Sequence, residues 1–424
     1  MIYLVLSLLF IIVDKGKHSI SKVLFLLLFA SSIAAFFVGR QPGWDFDVQI
    51  FSIYIAVLLF VLFSSFRKYC NLSSYKFEDI NRRRLIIVER VTIITILVVM
   101  IVNIFIFIKA YSLLLYGMID VDSYKNDGGA EELFAQYVPH ILISFSNLIS
   151  PLGYLCFSFH FKYLIEDNIK RAVLFLVLSL VLVFSGLIAL SRSAAVSYLL
   201  EYGILLIFFW PLIKHRTKKI LIRVSTISFV MILTILFFLS NNRFSDFYTK
   251  ESQNNAILDE TETPVLFSTL DYFAQWQENG PIILKMHKPE NVYWSMYNSN
   301  GLGVWIQKKI QGGVIVNSKR EALFYSVLGS QMSKFHGFIA RAVYDFGFVG
   351  TILFVLFLSF IIKRCKPKYG VLSSKTLFSA PLLVPIAITF FSGNWFSSLT
   401  YDLAIIFTIV VYRLLTQQKY GFDN

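Results

Sequence analysis

Long, uninterrupted apolar runs constrain the fold of this chain more than any other feature. A helix needs about 20 apolar residues to cross a bilayer, where the backbone must satisfy its own hydrogen bonds. Of the 424 residues, 56% are hydrophobic and only 15% are charged, which excludes a soluble enzyme, a disordered chain and a disulfide scaffold. The sequence therefore predicts an all-α polytopic membrane protein of about eleven transmembrane helices. The runs are 2–13, 23–38, 51–66, 86–108, 139–160, 172–190, 196–213, 224–240, 337–362, 377–393 and 400–415.

The basic residues predict how these helices are oriented. If eleven helices cross the membrane, five loops and the C-terminal end lie on one side, and these six segments hold 24 of the 39 Lys and Arg residues but only six of the 26 acids. Positive loops remain in the cytoplasm, so the N-terminus is predicted to lie outside. The net charge of +13 thus indicates topology and contact with anionic headgroups, and no nucleic-acid partner is predicted. The six segments are 14–22, 67–85, 162–171, 214–223, 363–376 and the C-terminal end from Arg413.

One long polar stretch divides the chain into three parts. Residues 1–240 contain eight predicted helices, and residues 336–424 contain three more with a cytoplasmic C-terminus. Between them, the outer loop 241–335 carries nine basic and nine acidic residues. Because unstructured loops of such length are uncommon in compact proteins, the loop is predicted to fold as a cap over the outer membrane surface. Its stretch Thr269–Asn279 has the pattern of a short amphipathic helix.

Arg192 lies in a very short outer turn between two apolar runs, flanked by Ser191 and Ser193. A guanidinium stays charged and offers a planar fork that suits phosphate oxygens, and the two hydroxyls could donate beside it. Arg192 also begins an Arg-x10-Gly run that ends at Gly203. The alternative is an arginine at headgroup level, but outer arginines in so short a turn go against the positive-inside trend.

A second group of polar residues occupies the outer end of the ninth predicted helix. His336 and Arg341 are five residues apart, and Tyr344 and Asp345 follow Arg341 by three and four. The last spacing also permits an ion pair within the helix, which would hold the arginine in place. His336 could serve as a base or donor near neutral pH, although a histidine at a membrane boundary can equally be structural.

Further candidates lie in the large outer loop and in the seventh predicted helix. Arg243 begins the large loop beside Asp246, where it could contact phosphate or form a solvated pair of little energetic value. Glu201 lies inside the seventh predicted helix and needs a partner or water. Trp276 could stack on a sugar face, or belong to the core of the cap or an interfacial belt.

Two Asp-x-Asp pairs could in principle hold a divalent metal. They are Asp45 with Asp47, and Asp120 with Asp122. Such short spacings arise often by chance and no third ligand is evident, so no metal site and no cofactor is predicted. The chain also lacks a Walker loop, a GxSxG motif and an HExxH motif.

The chain resembles the bacterial oligosaccharide repeat-unit polymerases of the Wzy type, which make O-antigen and related polymers. The likeness rests on the many-helix plan with one large outer loop, on the segment ALSRSAAVSYLL with its Arg192-x10-Gly203 spacing, and on the segment HGFIARAVYDFGFVG. The second segment is similar to one that follows the large loop in polymerases and O-antigen ligases. It departs from the arginine motif, because only eight residues separate Arg341 from Gly350.

The resemblance implies a fold like the GT-C glycosyltransferases and an enzyme of the inner membrane whose active site faces the periplasm. It implies undecaprenyl-diphosphate-linked oligosaccharides as substrates, with membrane lipids and a chain-length regulator protein as partners. Charge gathers on the departing lipid diphosphate, so cations should stabilise the transition state. The implied catalytic residues are His336, Arg192, Arg341 and Asp246, and the implied substrate-binding residues are Arg243, Ser191, Ser193, Tyr344 and Trp276.

Two alternatives remain open. An O-antigen ligase would use the same donor and similar arginines but transfer the glycan to a lipid core. A polysaccharide flippase or other transporter would be expected to have short loops and cationic residues deep in a central cavity, whereas these arginines lie at the outer boundary.

Overall fold

A computed structural model describes residues 2–40, 45–115, 140–188, 192–223, 264–288, 337–391 and 399–416, and this part of the chain is mostly helical. The predicted class, an all-α membrane protein, is confirmed at that level, because five described helices are long and apolar enough to cross a membrane. The count of eleven and the GT-C architecture stay predictions. The five spans are Ile20–Phe37, Phe46–Lys68, Arg82–Lys109, Ala194–Leu212 and Gly337–Arg364.

The chain divides into two compact units, each made of several separate segments. The first unit consists of Met1–Asn71, Lys219–Lys366 and Pro385–Leu399. Its helices are α1 (Ile2–Val13), α2 (Ile20–Phe37), α3 (Phe46–Ser64), α10 (Pro264–Ala274), α11 (Trp276–Lys285) and α12 (Gly337–Arg364).

The second unit consists of Leu72–Lys218, Pro367–Val384 and Thr400–Asn424. Its elements are β1 (Ser74–Lys76), α4 (Arg82–Leu115), α5 (His140–Ile149), α6 (Leu152–Ile165), α7 (Ile169–Ser179), α8 (Val181–Ile188), α9 (Arg192–Phe209), β2 (Val371–Ser373) and α14 (Leu399–Thr416), together with most of α13 (Ser374–Ile388). Short 3-10 turns follow α3 at Ser65–Lys68 and α9 at Trp210–Leu212.

Aromatic packing joins the first three helices of the first unit. The ring of Phe25 on α2 stacks on Phe10 of α1 with centroids 3.9 Å apart, and it meets Phe63 of α3 edge-on at 5.4 Å. Further along α2, the small residues Ala34 and Ala35 are buried in a cluster with Phe267 of α10. Small side chains let helix backbones approach closely, and α10 therefore lies directly against α2.

Helix α6 is the centre of the second unit. Every residue from Leu155 to Ile165 is buried, as expected of a helix that is covered on all sides. Gly153 packs so closely on Leu182 that an added Cβ would lie 2.6 Å from its side chain. The predicted single helix over 139–160 is divided in the structure, because α5 ends at Ile149 and α6 begins at Leu152. Pro151 explains the break, since proline lacks the N–H that would continue the helix.

Two features of the backbone were not predicted. The strands β1 and β2 form a parallel pair with Ser74 opposite Val371, a small departure from an all-α chain. The ninth predicted helix, 337–362, is found as α12, but Gly347 interrupts it with φ 69° and ψ 176°. That backbone conformation is essentially restricted to glycine, so α12 is two helical pieces joined at a sharp bend.

Candidate functional site

Trp276, a predicted sugar platform, is buried in the core of the first unit. Its side chain is 0% exposed, and its ring meets Phe390 edge-on at 5.5 Å and Tyr3 at 5.0 Å. The indole Nε1 donates to the Ser31 hydroxyl of α2 at 2.9 Å. Both the apolar ring and its polar N–H are thus satisfied within the protein, and Trp276 is a packing residue rather than a surface for a sugar.

Hydrogen bonds fix the described part of the large loop to α2. Gln277 donates to Ser31 at 3.1 Å, and the Ser31 hydroxyl donates to the carbonyl oxygen of Phe273 at 2.7 Å. The stretch predicted as one helix over Thr269–Asn279 is helical but divided at Gln275 between α10 and α11. The loop residues 264–288 therefore share a core with the apolar helices of their unit instead of forming a separate core.

Arg40, just beyond α2, forms ion pairs with the loop segment 264–288. Its Nε donates to Asp271 at 2.7 Å and its Nη1 to Glu278 at 3.1 Å, while only 13% of the arginine side chain is exposed. Burial alone would lower the pKa of Arg40, but the two carboxylates outweigh it and the pKa is raised. Sequence reasoning missed this residue, although an outer arginine at the end of an apolar helix is the signal that singled out Arg192.

Asp45, half of an Asp-x-Asp pair that could in principle hold a metal, caps a helix. Its carboxylate accepts from the backbone N–H groups of Asp47 at 3.0 Å and Val48 at 3.4 Å, at the start of α3. It also pairs with Lys285 at the end of α11. The bond from Lys285, with the backbone bonds, lowers the pKa of Asp45. Within the described ranges, no three His, Cys, Asp or Glu residues are grouped as a metal would require.

Arg341 and Tyr344 lie one turn apart in the first piece of α12. Arg341 is half-buried and Tyr344 is fully buried. The Tyr344 hydroxyl donates at 2.9 Å to the carbonyl oxygen of Ile283 in the last turn of α11, where the carbonyls lose their regular helical partners. Tyr344 therefore positions α11 through its hydroxyl, and its role in substrate binding stays a prediction. Asp345, next to it, is 2% exposed.

His287 joins this group from the loop side, and it was not among the predicted site residues. Its ring meets Tyr344 edge-on at 4.8 Å and Phe348 at 5.4 Å. Burial lowers its pKa, so the imidazole is neutral near pH 7. The segment around it, MHKPEN, contains no recognisable motif. Its contact with α12, which is distant in the sequence, is the only feature that marks it as a candidate.

Arg192 belongs to the second unit, where it is the first residue of α9. Ser193 follows it in the first turn. A helix N-terminus carries a partial positive charge from its free N–H groups, which opposes a cation and favours an anion. Gly203 lies eleven residues further along, which is close to three full turns and about 16 Å on the same helix face. Between them, Glu201 is 4% exposed, and among the described residues its Oε1 has no hydrogen-bond partner.

Four predicted residues, His336, Arg243, Asp246 and Ser191, lie outside the described residues. The others fall in two places: Arg341, Tyr344 and Trp276 in the first unit, and Arg192 with Ser193 in the second.

Comparison with known proteins finds no matching family model, no matching curated protein and no matching solved structure. The likeness to repeat-unit polymerases thus stays a prediction from the sequence.

Proposed function

We propose that this protein polymerises undecaprenyl-diphosphate-linked oligosaccharide repeat units into an O-antigen-type polysaccharide at the outer leaflet of a bacterial inner membrane. The observation that carries the proposal is the position of Arg192 as the first residue of an apolar helix. An arginine at this position adds its charge to the partial positive charge of a helix N-terminus, and an anion such as a diphosphate suits both.

Arg341 supports the same proposal from the first unit. A charged residue in an apolar, membrane-length helix is costly and marks a functional site by default. Its half-buried side chain lies in the first turns of α12, and the resemblance implies a second guanidinium contact to the diphosphate.

The reaction joins two lipid-linked glycans. A hydroxyl oxygen of one repeat unit forms a bond to the anomeric carbon of the growing chain, and the bond from that carbon to the diphosphate oxygen breaks. The electron pair leaves with the lipid diphosphate, whose charge Arg192 and Arg341 stabilise, with Arg243 as a further contact. The hydroxyl proton passes to a base, for which His336 and Asp246 are the candidates. The energy comes from cleavage of the bond between the sugar and the diphosphate, so no nucleotide is needed.

The experiment is the glycan banding pattern of cells that lack the gene and carry a plasmid copy. We expect wild type to restore a polymer ladder, Arg192→Ala to give cores with a single repeat unit, and Arg192→Lys to give a short ladder because it keeps the charge but loses the fork. Arg83→Ala, which removes an exposed arginine of α4, is the control and should restore the full ladder.

Two outcomes would refute the proposal. A full ladder from Arg192→Ala, at equal membrane abundance, would remove the residue from the site. Bare cores in the deletion strain, with polymer still on the carrier lipid, would indicate a ligase instead.

A further inference from the structure

The surroundings of His287 are mainly aromatic, unlike the charged side chains proposed to hold the diphosphate. On one side its ring contacts Tyr344 and Phe348 of α12. Phe348 in turn meets Tyr54 of α3 edge-on at 5.5 Å and stacks on Phe51 at 5.6 Å. His287, Phe348, Phe51 and Tyr54 are each half-buried, so these side chains form one aromatic surface that is partly accessible.

The two ring nitrogens of His287 are not equivalent. Nδ1 is buried and has no hydrogen-bond partner among the described residues. A buried N–H without an acceptor is rarer in proteins than a buried acceptor without a donor, so the lone pair is assigned to Nδ1 and the proton to Nε2. The residue as a whole is half-buried, and on this assignment its second ring nitrogen, Nε2, carries a neutral N–H donor.

A neutral donor beside aromatic rings suits a neutral ligand. Burial holds the pKa of His287 below its usual value, which disfavours the imidazolium that a diphosphate would call for. The neighbouring ammonium of Lys285 is engaged by Asp45. A sugar ring has both required features, because its hydroxyl oxygens accept hydrogen bonds and its C–H face packs on aromatic rings.

We propose that His287 and the aromatic surface around Phe348 bind a sugar ring of the lipid-linked repeat unit, with Nε2–H of His287 donating to a sugar oxygen. The proposal rests on the proposed function, in which the arginines hold the diphosphate and a separate surface must hold the glycan. His287 is a binding residue here, and no bond is formed or broken at it.

Three substitutions separate this role from a structural one. His287→Phe keeps a ring against Tyr344 and Phe348 but removes the donor. His287→Gln places an amide N–H near the position of Nε2, and His287→Asn reaches only as far as Nδ1. The probe is the repeat-unit oligosaccharide released from its lipid, titrated into the full-length protein in nanodiscs and followed by calorimetry.

We expect the Kd of the oligosaccharide to rise about 3- to 10-fold in His287→Phe and His287→Asn, as for the loss of one neutral hydrogen bond. His287→Gln should recover most of the affinity. Binding of farnesyl diphosphate, a short lipid diphosphate without sugar, should be unchanged in all three variants and weakened in Arg192→Ala.

The proposal is overturned if His287→Phe binds the oligosaccharide as wild type does, because packing alone would then explain the residue. It is also overturned if wild type does not bind the oligosaccharide, or if farnesyl diphosphate binding falls with the same variants. Because calorimetry needs no turnover, a protein that binds the oligosaccharide as expected but makes no polymer would refute the proposed function and leave this inference standing.

Discussion

At the scale of single residues, charged side chains at the edge of the apolar helices are held by specific partners. Arg40 is the clearest case, since its guanidinium reaches both Asp271 and Glu278 while it is mostly buried. By contrast, Lys285 and Asp45 form a pair in which each side chain is 40% or more exposed. Water screens an exposed pair strongly, so the two pairs should differ in what they contribute to stability.

Removing the Arg40 guanidinium should therefore lower stability much more than removing the Lys285 ammonium. Arg40→Ala takes the guanidinium away from two partly buried carboxylates, which costs about 2 kcal/mol. We expect a clear fall in the Tm of the detergent-solubilised protein for Arg40→Ala and only a small one for Lys285→Ala. Equal Tm values for the two variants would show that Arg40 does not hold the loop segment.

The carboxylate of Asp45 should make the stability of the folded protein fall at low pH. Its bond from Lys285 lowers its pKa in the folded protein, so its contribution is complete above the ordinary Asp pKa of about 3.9. It is lost as the pH falls through the lowered folded value, because the unfolded chain takes up the proton first. Asp45→Asn keeps an oxygen for the cap but cannot titrate. Below about pH 4, the Tm of wild type should fall more steeply than that of Asp45→Asn, and parallel curves would contradict this.

At the scale of elements, the apolar runs predicted most of the described helices but not their interruptions. Length and hydropathy locate α2, α3 and α4, because those properties are local. The bend of α12 depends on which of its glycines takes a positive φ, and Gly347 and Gly350 look alike in sequence. Only Gly347 does so in the interior of the helix, where residues of α3 and α11 pack against the two pieces.

Alanine substitutions at two glycines test this bend. Gly347→Ala forces a Cβ into a conformation that costs about 1–3 kcal/mol, and we expect a lower Tm with weaker polymer formation. Gly203→Ala is the control, since an added Cβ there meets nothing within 4 Å and a helical alanine is favoured by about 0.5–1 kcal/mol. A Gly347→Ala protein as stable as wild type would mean that α12 can be straightened without loss.

At the scale of the whole molecule, the sequence predicted the membrane class that the five apolar helices support, while the helix orientation and the position of the large loop stay predictions. It could not predict what that loop packs against, because such contacts join residues far apart in the chain. Arg40 and its two carboxylates are separated by 231 and 238 residues. His287 was missed for the same reason, because the aromatic rings that it contacts belong to α12 and not to its own segment of the chain.

The predicted orientation can be checked with the three native cysteines. Cys70 and Cys365 are half-buried and Cys156 is fully buried, and both accessible thiols lie in segments predicted to be cytoplasmic. In single-cysteine variants, a membrane-impermeant maleimide should label Cys70 and Cys365 in inverted vesicles but not in intact spheroplasts. Cys70 should react slowly, because burial raises its pKa. Cys156 should react only after denaturation. Labelling of Cys365 from the outside would show that the orientation is opposite to the predicted one.

The pairing of β1 with β2 sets an order of events during synthesis. The backbone bond from Ser73 N–H to the Gly370 carbonyl oxygen, beside the strand pair, joins positions 297 residues apart. At about 5–20 residues per second, a ribosome needs about 15–60 s to supply the second strand after the first has emerged. Residues Ser74–Lys76 must stay unpaired for that time, so the second unit closes only when nearly the whole chain has been made.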